Sequence, residues 1–579
     1  MQRYSKLFGK SVKTQSSKKF SSKNASLLIQ AGYVYQVMSG VYALLPLGLK
    51  VVKKIENIVR EEMDKIGQEL LLTSLAPKET WQKTGRYETL DVLFKVVPAN
   101  KESEIKHNLE YVLNPTHEDL LTDLAKKYVV SYKELPFAVY QIQTKFRNEP
   151  RAKSGMLRTR EFIMKDLYSF HTSKKDLMKY YEKAKKAYWN IYSKLGLKNL
   201  TYITAASGGD FTDNYSHEFQ VKCKNGEDTI FYAKSTNEAF NKEIAPSKSL
   251  NVKTDKIKKA KRLVKTPNIT TVKDLAKFLN IPINNTIKTL IYYTDRGFVA
   301  AAVRGDYEVN ELKLKKILKV KIIRLATEKE VKKLTGSKIG YAGLINLPKE
   351  IKIIVDESTK ELVNFELGAN KQGYHYINVN WGVDLPKPKD FYDIKIAKKG
   401  DLYPKTREPY QVFKASEAGN IFPLETKFSK ALNYYYSDKH GNQKLVYMGS
   451  YGIGITRLMG IIAEIFNDEK GLVWPKKIAP YDIYFITLEQ DFKEQAKNII
   501  YKLERAGLDV LWDDRKTASA GEKLKNADIL GLPVRIVLSK RSLQKGGVEV
   551  KFRNLKTKEE EKIINLNDLT SFLKNWKSK

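Results

Sequence analysis

The rhythm of apolar residues changes twice along this chain, so its 579 residues cannot be built around one core. From about residue 476 the pattern alternates strand and helix: "YDIYFITL", then "DFKEQAKNIIYKLERAG", then "LDVLWDD", a helix near 521–530, and "VRIVLS". That alternation predicts an α/β domain with a largely parallel sheet. Between about 265 and 390 stands a different pattern. The helix "TTVKDLAKFLNI" is followed by β-branched and aromatic strands in "TIKTLIYYTDRGFVAAAVRGDYEVN", broken at Arg296-Gly297. The Lys-rich "APSKSLNVKTDKIKKAKRLVK", residues 245–265, reads as an exposed linker before it, and "LPKPKD" closes it. The domains expected are therefore 1–244, an α+β insert at 245–390, 391–475 and 476–579. "VWPKKIAP" serves as the last hinge.

Composition narrows the classes of function. With 42% hydrophobic and 29% charged residues the chain is a folded globular protein and not a disordered one. No apolar run approaches the roughly 20 residues of a membrane span. The single cysteine, Cys223, excludes an internal disulfide, a Cys-pair zinc site and an iron–sulfur cluster, so no structural zinc is expected and a reducing compartment fits. The formal charge of +37 draws anions to the whole surface, as in a protein that handles nucleic acid, although Lys-rich genome composition also supplies such charge. The first 55 residues carry no acid and many Ser and Lys. They continue into apolar, turn-punctuated sequence and are read as part of the fold and not as a cleaved leader.

Three segments carry chemistry, and a fourth carries a packing pattern. "TKFRNEPRAKSGMLRTREFIMKDLYSFH", residues 144–171, reads as two strands joined by a basic loop, with Arg147, Glu149, Arg158, Phe162 and Asp166 at its centre. Guanidinium groups fork onto phosphate oxygens and can hold a bent triphosphate. Glu149 could accept a bond from an adenine amino group, and Phe162 could cover the base. A solvated surface network has the same composition. "NPTHEDLLTDL" places Thr116 and Glu118 beside His117 ahead of a helix, a pairing suited to a ligand's ammonium group. "MGSYGIGITRLMGI", residues 448–461, opens an apolar helix with glycines and puts Arg457 in it, where a cation needs an anion. "GLKVVKKIENIVREEMDKIG" carries an apolar stripe at helical spacing, the mark of a helix on its own core or at a subunit interface. A phosphate loop ending in "GKS" at 9–11 fails because Tyr4 stands where its first glycine belongs, and no dinucleotide fingerprint follows a strand.

Taken in order, "PTHE", "YQIQTKFR", "REFIMKDLYSFH", "SHEFQV", "MGSYGIGITR", "GLVWPKKIAP" and "DDRK" resemble the bacterial-type prolyl-tRNA synthetase family, class II, over nearly the whole chain. The HIGH and KMSKS signatures of the other synthetase class are missing. The resemblance implies an antiparallel-sheet catalytic domain, an α+β editing insert and a C-terminal α/β anticodon-binding domain. It implies Arg147 on the α-phosphate and the prolyl carboxylate, Glu149 and Phe162 on adenine, and Arg158 and Arg457 on the outer phosphates. Thr116 and Glu118 would hold the proline imino group, His217 and Glu218 line the amino-acid pocket, and Glu417 bind the Mg²⁺ that accompanies ATP. In the insert, Lys288 would lie near the tRNA 3′ end and His375 in an editing pocket. Arg515 and Lys516 would meet the anticodon. The partners implied are L-proline, ATP and tRNA(Pro), in a cytoplasmic homodimer formed through the first-motif helix with no membrane contact. Departures from the family pattern are Thr73, Leu344, Asn420 and Ser450. The rival readings are a threonine enzyme, which would need a Cys/His zinc site, and an inactive relative, which would have no use for four phosphate-clamp residues.

Overall fold

Strand Phe137–Phe146 and strand Glu161–His171 pair antiparallel in unbroken register from Phe137 opposite Phe170 to Phe146 opposite Glu161. This hairpin, in a computed structural model that describes residues 1–12, 22–107, 109–150, 152, 154–209, 216–250, 252, 255, 257–554 and 561–578, is the centre of the first of two units. That unit comprises 1–203, 208–227 and 414–579, and the second 204–207 and 228–413. Strand Tyr447–Gly454 pairs antiparallel with Glu161–His171 on one side and with strand Gln411–Glu425 on the other, and strand Ser216–Lys222 adds beyond that. The class II antiparallel sheet is thus in place.

The stripe read on residues 48–67 falls on helix Pro46–Met63, and its apolar residues are spent inside the chain. Val51, Val52, Ile55 and Val59 are fully buried in a core shared with helix Lys174–Lys194 and helix Ile455–Ile465. Contact is so close at Gly48 that a Cβ there would stand 2.1 Å from the Tyr33 carbonyl oxygen.

In the same unit, Ile483–Thr487, Val510–Asp513 and Val534–Leu538 form the parallel sheet expected from the strand–helix alternation, with antiparallel Val548–Phe552 and Lys562–Ile564 at one edge. The other edge was not legible in the sequence. Gln2–Arg3 adds a parallel strand beside Val510–Asp513, and Tyr4 is buried edge-on against Tyr484 at 5.9 Å.

The second unit is built on hairpin Thr286–Thr294/Gly297–Arg304, which turns where Gly297 takes φ 105°. Lys352–Val355 flanks it on one side, and Phe365–Gly368, Tyr374–Val379 and Arg262–Lys265 follow on the other. The end of the expected linker is therefore an edge strand: Arg262–Lys265 pairs with Tyr374–Val379, and its Lys and Arg guard the open edge. Helix Val272–Phe278 begins where expected, with Thr271 accepting from the Asp274 amide. Leu344 lies in this unit's apolar core.

Candidate active site

The hairpin's register decides what its arginines do. The Arg147 amide donates to the Arg160 carbonyl at 2.8 Å, closing the strands, while the Arg158 guanidinium turns to Glu149 at 2.8 Å. The Arg147 guanidinium lies over the Phe162 ring at 5.2 Å, and among the described residues its only hydrogen bond is a long one to the Pro115 carbonyl, at 3.4 Å. Burial and the nearby Arg457 guanidinium lower its affinity for its proton below that of ordinary arginine. Two guanidinium groups close together, with donors of Arg147 to spare, favour an anion beside them.

Arg457 is delivered by the third motif. Strand Tyr447–Gly454 runs straight into helix Ile455–Ile465, and a Cβ on Gly452 would come within 2.8 Å of the Asn420 side-chain oxygen. Arg457 donates to the Glu417 carbonyl at 2.8 Å and approaches the Glu417 and Glu227 carboxylates at 3.4 and 3.8 Å. The two carboxylates offer hard oxygen donors, the kind Mg²⁺ takes alongside phosphate. Glu227 was not anticipated from sequence.

Beside Arg147 lies a cavity of about 150 Å³ lined by Thr116, Glu118, Glu149, Asp166, Asn420 and Ser450 among others. Thr116 donates to Glu118 Oε2, and Ser450 donates to Glu118 Oε1 at 2.8 Å. Arg86 reaches Glu118 at 3.5 Å and also pairs with Asp119. Sequence reasoning missed Arg86, since one arginine in "TGRYET" signals nothing until Gly85, at φ 71°, turns the chain toward helix Glu118–Tyr128. It named His117 and Asp166 but not the buried bonds that join them through Lys145, Gln141 and Tyr168. Asp166 Oδ2 accepts from Lys145 at 3.0 Å and from Gln141 and Tyr168 at 2.9 Å, and Lys145 donates to His117 Nδ1 at 2.5 Å. His117 Nε2 donates to the Thr73 carbonyl at 2.9 Å, so this histidine fixes the loop and leaves ligand contact to its neighbours.

His217 and Glu218 fall outside the cavity lining. The His217 ring meets Tyr181 at 2.8 Å, while Glu218 stands opposite Asn420 in the sheet and accepts from Gln220. Lys288 and His375 line a separate cavity in the second unit, from whose lining Leu344 is absent. Arg515 is spent on Asp513 at 2.7 and 2.8 Å, on Glu522, and over the Tyr4 ring. Lys516 is exposed, and with Arg3, Lys6 and Lys493 it lines a basic cavity at the C-terminal ends of the parallel strands.

Burial holds His117, His217 and His375 near 4, against 6.5 for a free imidazole, with Lys145 adding to the effect at His117 and Lys185 at His217. An unfolded chain therefore takes up protons that the folded one refuses. Stability is full above about pH 6.5 and declines as pH falls toward about 4, so urea midpoints should be lower at pH 5 than at pH 7.

Residues 100–466 match the family model described as tRNA synthetase class II core domain (G, H, P, S and T), and residues 482–576 match the anticodon binding domain. A proline–tRNA ligase of Bacillus cytotoxicus is 40% identical over 549 residues, covering 94% of this chain and 95% of that one. The chain belongs to the proline–tRNA ligase family. Another ligase of this name, from a Sulfurihydrogenibium species, is 42% identical over 538 residues, with 92% and 93% covered. Among solved structures, the Cryptosporidium parvum prolyl-tRNA synthetase complexed with halofuginone and AMPPNP shares the fold at TM-score 0.57 and 14% identity, over 96% of this chain and 76% of that one. As a member of that family the chain is an aminoacyl-tRNA ligase with a class II core and an anticodon-binding domain, and the insertion within the stretch matched as the core fits the family's editing domain. Among the described residues no helix is long and apolar enough to cross a membrane.

Proposed function

We propose that the Thr116–Glu118 cavity and the Arg147–Arg457 pair form one site, in which L-proline and ATP become prolyl-adenylate. The observation that carries this is the adjacency of a walled carboxylate, Glu118, to the Arg147 guanidinium, whose charge is opposed by that of nearby Arg457. Glu118 and Thr116 take the imino N–H groups, with Arg86 and Ser450 fixing the carboxylate. The substrate's own carboxylate then lies toward Arg147. One of its oxygens attacks the α-phosphorus of ATP, the bond to the β,γ-phosphates breaks, and pyrophosphate leaves. Arg147 bears the charge that grows on the α-phosphoryl oxygens, and Arg457 and Arg158 bear that on the leaving group. Phe162 and Glu149 hold the adenine, and His217 and Glu218, outside the cavity lining, act on the amino-acid pocket only through strand Ser216–Lys222 beside Asn420. Glu417, with Glu227, would hold the Mg²⁺ that enters with ATP and screens its phosphates. In the second step a terminal ribose hydroxyl of tRNA(Pro) attacks the prolyl carbonyl and AMP departs. No side-chain nucleophile is needed, because positioning and fixed charge supply the rate.

The insert hydrolyses mischarged alanyl-tRNA(Pro), because a pocket that admits proline rejects the smaller alanine by only about 1–3 kcal/mol. Lys288 meets the RNA end and His375 walls the pocket. Lys516 and Arg515 contact the anticodon, Arg515 mainly by shaping the site. The reading includes a homodimer in the cytoplasm. Since the stripe of helix Pro46–Met63 is buried in its own chain, exposed Tyr35, Val37 and Met38 offer the apolar area for it.

Amino-acid-dependent ATP–pyrophosphate exchange tests the reading. Strong exchange with proline, weak exchange with alanine and none with threonine is expected, and a folded protein inert with every amino acid would overturn it.

A further inference from the structure

The cavity of the second unit holds an acid with no partner. Glu366 lies in the short strand Phe365–Gly368 and is 3% exposed. Among the described residues no hydrogen bond reaches its carboxyl group, and the one basic group within 4.0 Å of it is His375 Nε2, at that distance. That imidazole cannot serve it. His375 Nε2 donates to the Gly340 carbonyl at 3.1 Å and Nδ1 accepts from Thr266 at 2.7 Å, and burial keeps the ring neutral. The other charged residue on the wall, Lys288, directs its ammonium to Glu308 at 2.6 Å. Thr289 lines the same cavity, and its hydroxyl is likewise buried without a partner. The remaining wall is mainly apolar, including Ile287, Ile291, Val331 and Ala342 around a space of about 200 Å³.

A buried, unbonded carboxyl costs stability and has to be explained by something that enters. Burial alone raises its proton affinity well above that of an ordinary glutamate, so it waits protonated. We infer that Glu366 is the receptor for the α-ammonium of the aminoacyl ester that enters this cavity, with Thr289 Oγ1 as a second acceptor. This rests on the reading of the insert as an editing site and assigns its amine recognition. When an ammonium arrives, Glu366 ionises, its proton passes to solvent, and a carboxylate–ammonium pair forms away from water. A primary ammonium has N–H donors for both acceptors and one to spare, whereas the ring nitrogen of a prolyl ester has only two and carries a ring the cavity must also admit. The pair therefore demands an α-ammonium, and the apolar wall around it sets which side chain can accompany that ammonium.

The probes are 3′-alanylamino-3′-deoxyadenosine, which cannot be hydrolysed, and its propionylamino counterpart, which lacks the amine. Both are titrated calorimetrically into the full chain with the synthetic site filled by a non-hydrolysable prolyl-adenylate analogue. Buffers of different ionisation heat at about pH 6.5 count the protons released. The parent should prefer the amine by about tenfold or more and release close to one proton per ligand bound. Glu366→Gln, the same shape as the protonated acid, should lose both. Thr289→Val should weaken the preference and keep the proton release, which preserves the test if the Gln variant does not fold. Retention of preference and release in Glu366→Gln overturns the inference. So does deacylation of alanyl-tRNA(Pro) by Glu366→Gln at the parent's rate and selectivity, and in that case the editing reading survives. A parent that binds neither probe and spares alanyl-tRNA removes the editing reading and the inference with it.

Discussion

Arg147→Ala is expected to lower proline-dependent ATP–pyrophosphate exchange by about 10²–10³-fold, the loss that follows removal of one fixed donor to a charge-developing oxygen. The fold should hardly register the change. The Arg147 side chain makes one weak hydrogen bond, to the Pro115 carbonyl at 3.4 Å, and stacks on Phe162, so truncation strands no ion-paired partner. It also removes a cation from beside Arg457, which relieves repulsion in the empty site. Thermal midpoints of parent and variant should therefore agree closely while turnover collapses. Arg147→Lys should recover only part of the rate, because a point charge cannot span two oxygens as a planar fork does. Exchange at the parent's rate in Arg147→Ala would place the α-phosphate elsewhere.

The contrast between Arg147 and Arg158 shows how far the sequence could be read. The strand pattern of residues 144–171 was enough to place two strands joined by a loop with its two arginines near one tip, and the hairpin is there, its first strand starting earlier, at Phe137. Register was not legible. It is set by the Arg147–Arg160 backbone bond, which leaves Arg158 to pair with Glu149 instead of standing beside Arg147. Arg86 was invisible because its importance comes from packing against Glu118 and Asp119, over 30 positions along the chain. Gln2–Arg3 has too few residues to show a strand period, and only the open edge of the Val510–Asp513 strand makes it one. Glu366 misleads in the opposite direction. In "NFELG" an acid between Phe365 and Leu367 reads as the solvent face of an alternating strand, yet the surrounding chain covers that face as well.

Asp166→Ala is expected to cost about 3–5 kcal/mol in urea unfolding, the penalty for breaking a buried ion pair from one side. Lys145 is fully buried, and burial already pulls its proton affinity below that of a free lysine, with Asp166 the main group opposing that pull. Without the carboxylate, the ammonium either loses its proton or draws water into the core beside His117. Burial would raise the Asp166 carboxyl, but Lys145 and His117 outweigh it and hold it below the usual 3.8. Its contribution is therefore complete above that value and is lost only as pH falls further. A double variant, Lys145→Met with Asp166→Leu, should recover most of the stability, because neither charge is then left buried alone. Catalysis should not recover with it. Tyr168 accepts the His117 amide at 3.0 Å while donating to Asp166, so the network fixes the backbone from which Thr116 and Glu118 project. The double variant should thus fold well and show a raised KM for proline, with ATP affinity little changed. A single Asp166→Ala variant that loses less than about 1 kcal/mol would mean that Lys145 is neutral in the folded chain and that no ion pair stands behind the cavity.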